Sequence, residues 1–99
     1  MLLIVGTVRL PADRLERAKQ AMRRMILASR DEPGCLSYSY AQDVLDARLI
    51  HVSEAWSDCA ALEAHFRSAN IAEWRASWAE LGISDRKLTL YETDGGAPT

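Results

Sequence analysis

Residues 2–9 read LLIVGTVR. Leu3 and Val5 fall on one side of an extended chain, and Leu2, Ile4 and Val8 fall on the other. Successive side chains of a strand point to opposite faces. The segment therefore predicts a strand buried on both. One face asks for a layer of helices. The other asks for something more, and 99 residues offer little else. A domain of this size buries only about two-thirds of its unfolded surface. The pattern thus predicts a homodimer in which a second copy packs sheet on sheet.

The rest of the chain supplies the helix layer. Pro11 suits a first helical turn. Leu15, Ala18, Met22, Met25 and Ile26 then recur at helical spacing, to about Arg30. Pro33 and Gly34 in DEPG stop that helix. CLSYSYAQ alternates, predicting a strand with Leu36, Tyr38 and Tyr40 on one face. DVLDA reads as a loop, and RLIHVSEAW as the partner strand of an antiparallel hairpin. In that strand Ile50, Val52, Glu54 and Trp56 share one face, and His51, Ser53 and Ala55 share the other. With Trp56 toward the helices, His51 points to the dimer side.

Ser57 reads as the N-cap of a short helix, with Asp58 in its first turn. Ala61, Leu62, His65 and Phe66 share one face of it. Ser68 reads as the cap of a further helix carrying the stripe Ile71, Trp74, Trp78 and Leu81, which Gly82 ends. RKLTLYET is the last strand. The order β-α-β-β-α-α-β belongs to the α+β class. It predicts a ferredoxin-like split βαβ sandwich: one antiparallel sheet with helices on one face. Residues 1–93 form a single domain and 94–99 a loose tail.

Several function classes lack support. Twelve basic against fourteen acidic residues give a net charge of -2. Nucleic acids and anionic membranes call for a concentrated basic face, so neither is an expected partner. The one basic run, RAKQAMRR, lies on a helix among acids and reads as a solvated face. No apolar run approaches the roughly 20 residues of a membrane span. The N-terminus lacks the basic segment and cleavage site of a signal peptide. Cys35 and Cys59 form no CxxC motif and no disulfide framework, which points to reduced thiols in a cytoplasm. No zinc-type ligand spacing, P-loop or GxGxxG is present.

A few residues are able to carry chemistry. His65 sits on an apolar helix face beside Leu62 and Phe66, where a histidine serves as acid or base, or as a half-buried structural side chain. Trp74 and Trp78 suit a core, and equally the wall of a pocket for flat aromatic ligands. Tyr38 and Tyr40 are ordinary strand residues with hydroxyls. Glu54 on an apolar strand face needs a partner, and an arginine, even one across the dimer, is the expected one. The residues alone thus describe a small dimeric α+β domain with an aromatic-rich pocket.

Three segments add a resemblance. EPGCLSYSY, HVSEAW and SDCAALEAHFRS, in that order, resemble the antibiotic biosynthesis monooxygenase family, and the likeness runs from the first strand to Tyr91. It implies a ferredoxin-like sandwich whose two copies join their sheets into a dimeric β-barrel, with a pocket in each subunit between sheet and helices. It also implies oxidation of small aromatic, phenolic or quinol-type molecules by O2 without flavin, haem or metal. An electron-rich phenolate can itself reduce oxygen, so the protein has only to desolvate it, deprotonate it and orient it.

Carried over residue by residue, Trp56 matches the strand-end tryptophan implicated in the pocket, and His65 and Phe66 match the helix pair. Trp74 stands where an aromatic is usual. The chain departs from the family at Ala69, Asn70 and Ile71, where many members have Pro-His-Phe; a histidine that serves as acid or base there is Asn70 here. The haem-degrading branch fits less well, because its iron-ligating histidine falls on Arg75. The resemblance thus implies His65 and Trp56 in catalysis. Tyr38, Phe66, Asn70, Trp74 and Trp78 would bind the substrate, with no cofactor and no metal. The alternative is a non-catalytic dimeric ligand-binding or accessory domain, the reading favoured if Trp74 and Trp78 fill the pocket.

Overall fold

The computed structural model describes residues 1–99. Four strands build one antiparallel sheet: β1 (Leu2–Arg9), β2 (Cys35–Gln42), β3 (Leu49–Trp56) and β4 (Ser84–Glu92), in spatial order β2-β3-β1-β4. Helix α1 (Leu15–Arg30) crosses from β1 to β2. Helices α2 (Cys59–Phe66), α3 (Ala69–Ala76) and α4 (Trp78–Leu81) cross from β3 to β4. All lie on one face, giving the ferredoxin-like α+β sandwich.

The core sits between the helices and the inward side chains of the central strands. Leu2, Ile4 and Val8 of β1 and Ile50, Val52 and Trp56 of β3 are buried there. Opposite them Ala18, Met22 and Met25 of α1 are buried at helical spacing. Gly6 lets β4 approach β1: a Cβ there would stand 1.9 Å from the Lys87 carbonyl oxygen. The other face of the sheet has no helix layer. Register brings Leu3, Ala55 and Tyr91 side by side there, then Val5, Ser53 and Thr89. Tyr91 remains 51% exposed.

Three local expectations are corrected. The N-cap of α2 is Asp58, whose carboxylate accepts from Ala61 N at 2.8 Å. Ser57 instead closes the β3 end, its amide donating to the Gly34 carbonyl. Leu36 does not share a face with Tyr38 and Tyr40. It is the extra residue of a β-bulge between Cys35 and Ser37, and it is exposed. The Ile71–Leu81 stripe is split between α3 and α4. Ser77 breaks it by donating its hydroxyl to the Trp74 carbonyl at 2.6 Å, in competition with the helix amides. His51 does lie on the helix-free face, but it is engaged within its own hairpin, 2.8 Å from Asp43 Oδ1. Ser68 and Gly82 cap and stop their helices as read, Gly82 at φ 75°.

Candidate functional site

The site begins at the end of β3. Strand alternation turns both Glu54 and Trp56 to the helix side. The Trp56 indole N–H donates to Glu54 Oε1 at 3.1 Å. Both are buried, Trp56 completely. Helix α2 then lays His65 over Trp56, with ring centroids 4.4 Å apart, and beside Tyr38 at 5.5 Å. His65 is 1% exposed.

His65 spans two carboxylates. Its Nδ1 lies 2.9 Å from Glu32 Oε2, and its Nε2 lies 4.0 Å from Glu54 Oε1. Glu32 sits in the turn that DEPG makes after α1. The turn is fixed by Gly34 at φ 81°, where a Cβ would meet Ala61 Cβ at 2.5 Å. Asn70 supports the far side of Glu32, donating from Nδ2 toward Oε1 at 3.5 Å and to Ser29 Oγ at 3.0 Å. A row of polar groups therefore runs Asn70, Glu32, His65, Glu54, Trp56 through the apolar core, hydrogen-bonded at each step except the 4.0 Å gap between His65 and Glu54.

Burial sets the charge states. It lowers the His65 pKa below its ordinary 6.5, against the pull of Glu32. It raises Glu54 above its ordinary 4.5, against the Trp56 N–H and the more distant Arg86 and Arg75. The Tyr38 phenol is pushed far up by burial and the neighbouring Tyr40 and Glu54, and Tyr40 is raised by burial and Glu54. The site thus favours a neutral imidazole. With its Nδ1–H directed to Glu32, His65 presents Nε2 as the acceptor on the Glu54 side.

A cavity of about 20 Å³ opens beside this row. Tyr38, Tyr40, His65, Phe66, Trp74 and Trp78 line it, together with Glu54, Arg75 and Arg86. That volume holds about one water molecule, because the indoles of Trp74 and Trp78 fill the space. Phe66 stands half-exposed. Trp56 lies beneath the cavity and Asn70 behind Glu32, so neither lines it. No group of three or more His, Cys, Asp or Glu side chains is arranged to hold a metal ion. No helix is long and apolar enough to cross a membrane.

The structure thus gathers His65, Tyr38, Phe66, Trp74 and Trp78 around one cavity and sets Trp56 and Asn70 in the layer behind it. Glu54 needed a partner, as its place on an apolar face foretold. Within the chain that partner is the Trp56 N–H rather than an arginine. Glu32 was not legible as a site residue. It reads as a turn residue, and its contact with His65 spans 33 positions. Arg86 was equally silent, since only the strand pairing brings it to the cavity.

Comparison with known proteins places this architecture. The profile of the antibiotic biosynthesis monooxygenase family matches residues 1–77. A Deinococcus radiodurans protein superposes with TM-score 0.92 at 23% identity, over 100% of this chain and 98% of its own. The protein PA3566 of Pseudomonas aeruginosa superposes with TM-score 0.84 at 26% identity, over 95% and 94%. The curated relative sll1783 of Synechocystis, an uncharacterised protein, is 26% identical over 91 residues, which is 92% of this chain and 62% of that protein. The chain therefore spans less than two-thirds of that relative. On the family match over most of its length, the chain belongs to the antibiotic biosynthesis monooxygenase family and is a monooxygenase-like domain.

Proposed function

We propose that the domain is a cofactor-independent monooxygenase that oxidises a small phenolic or quinol-type aromatic with O2, acting as a homodimer. The observation that carries this reading is the buried His65, held by Glu32 and facing an aromatic-walled cavity. A phenol such as 1-naphthol illustrates the chemistry. His65 Nε2 takes the phenolic proton, and Glu32 stabilises the imidazolium so formed. The phenolate passes an electron to O2, and the two combine at the ring carbon para to the oxygen. The para C–H proton and the proton held by His65 leave with the distal oxygen as water. The proximal oxygen remains as the second quinone carbonyl. One O2 is consumed, and one quinone and one water are formed.

Tyr38 would meet the substrate oxygen, and Phe66, Trp74 and Trp78 would hold its ring. Trp56 would fix Glu54 beneath His65, and Asn70 would fix Glu32 behind it. Because the cavity is closed to about 20 Å³, a bicyclic substrate enters only when Trp78 moves aside. Trp78, half-buried on a helix of four residues, is the wall we assign to that movement. The half-apolar, helix-free face of the sheet supports the homodimer.

The same closed cavity favours a second reading, a non-catalytic dimeric ligand-binding or accessory domain. An oxygen electrode separates the two. The enzyme reading expects uptake with anthrone- or dihydroxynaphthalene-type compounds above their autoxidation. Binding of such compounds without uptake establishes the second reading.

A further inference from the structure

Two indole N–H groups at the cavity have no acceptor. Trp74 Nε1 and Trp78 Nε1 are both buried and unpartnered, and Trp74 is only 5% exposed. The Trp74 N–H approaches the Tyr40 hydroxyl closely enough to favour its phenolate, yet falls outside hydrogen-bond geometry. Buried donors in folded proteins are almost always paired. Two of them on one wall ask for acceptor oxygens from outside the chain.

Cations frame the same wall. The Arg75 guanidinium stands 5.4 Å from the Phe66 ring centroid and 6.0 Å from that of Trp78. Arg86 stands 5.5 Å from the Trp78 ring. Trp78 is thus bracketed by two guanidiniums, and neither makes an ion pair. Arg9, Arg17 and Arg24, by contrast, each hold a carboxylate. The acid facing both arginines is Glu54, and burial favours its uncharged form. Neither Arg75 nor Arg86 therefore has a carboxylate within ion-pair distance, and both guanidiniums are free to meet an anion at this corner.

The backbone spends strain to put Arg86 there. Between the Thr7–Lys87 and Arg9–Ser84 pairs, β4 holds one residue more than β1, so Asp85 and Arg86 together oppose Val8. Asp85 adopts φ 50°, the left-handed region that non-glycine residues rarely occupy. Bulges re-aim side chains, and such outliers concentrate where a ligand is held.

We propose that this corner docks a carboxylate carried on the aromatic ligand. Arg75 and Arg86 supply the charge, and the Trp74 and Trp78 N–H groups supply hydrogen bonds. The inference rests on the aromatic-ligand reading above and narrows it to aromatic acids. Docking of the acid exchanges two guanidinium–ring contacts at Trp78 for charge-assisted hydrogen bonds, which are the stronger interaction.

The test is calorimetric titration with a matched pair, 1-hydroxy-2-naphthoate and 1-hydroxy-2-naphthamide. Both carry the phenol, and only the first carries the carboxylate. The acid is expected to bind about tenfold tighter or more at low salt, with the advantage shrinking in about 0.5 M salt. Arg75→Met and Arg86→Met keep the hydrophobic stem, and each is expected to erase most of that preference, read as the ratio of acid to amide binding. Equal binding of the two ligands by wild type overturns the carboxylate assignment and leaves the aromatic reading standing, a phenolate contact included. A preference that survives both substitutions overturns the assignment to this corner. Binding of neither ligand overturns the aromatic reading and the inference with it. The wild-type salt dependence decides the matter even if a variant folds poorly.

Discussion

His65 Nδ1 stands 2.9 Å from Glu32 Oε2, joining α2 to the turn after α1 across 33 residues of sequence. The His65 side chain is 2% exposed and that of Glu32 19%. Burial lowers the imidazole pKa and Glu32 pulls it back, so the pair sets both the tautomer and the basicity of the ring. Glu32→Gln keeps an oxygen within reach but removes the charge. The variant is expected to lose about 1–2 kcal/mol of stability and on the order of tenfold or more in turnover, with KM little changed. A variant with wild-type turnover removes Glu32 from the mechanism. Urea unfolding and steady-state kinetics measure the two effects.

The pH dependence of stability follows from two opposite shifts. Glu54 is raised above 4.5, so it binds its proton more tightly folded than unfolded. Stability therefore falls as pH rises from about 4.5 through the folded value. His65 is lowered below 6.5, so stability falls as pH drops below about 6.5. Glu54→Gln keeps an acceptor for the Trp56 N–H and deletes the first effect alone. Its melting temperature relative to wild type is expected to be higher at about pH 8 than at about pH 4. The same difference at both pH values would show that Glu54 ionises freely in the fold.

Gly34 ties backbone geometry to the site. At φ 81°, with Ala61 Cβ 2.5 Å and Ser57 Oγ 2.7 Å from a built Cβ, alanine is strained twice over. Gly34→Ala is expected to cost about 1–3 kcal/mol and to displace the turn bearing Glu32. Thermal melts check the first effect. A downfield shift or broadening of the His65 ring proton signals checks the second.

The architecture was readable because its determinants are local and periodic. The doubly apolar β1, the Met22 and Met25 stripe and the alternation of β3 each fix an element and a facing. The errors fell where one side chain competes for a backbone group. Asp58 outcompeted Ser57 as a cap, Ser77 split the tryptophan-bearing helix, and the bulge at Leu36 shifted the phase of β2. The site was half readable. His65, Trp74 and Trp78 declare themselves by type and face. Glu32 and Arg86 do not, because a turn residue and a bulge residue acquire their roles only through pairing of distant segments.

The helix-free face makes the assembly testable. Leu3, Val5 and Ala55 lie next to one another on it with Tyr91. Burying such a face against a second copy stabilises by roughly 25 cal/mol per Å² of apolar surface. Sedimentation is expected to give twice the chain mass, and Val5→Lys is expected to shift the species to one chain. A wild-type monomer at micromolar concentration contradicts the homodimer.

The central claim is that buried His65 moves a proton while O2 oxidises a phenolic substrate. The most direct measurement is turnover under ¹⁸O2 with an anthrone- or naphthol-type substrate, comparing wild type with His65→Asn. The account predicts one labelled oxygen in the quinone and the other in water for wild type. It predicts a rate lower by about a hundredfold for the variant, with the fold intact by circular dichroism. Quinone labelled from solvent water, or a His65→Asn rate equal to wild type, contradicts it.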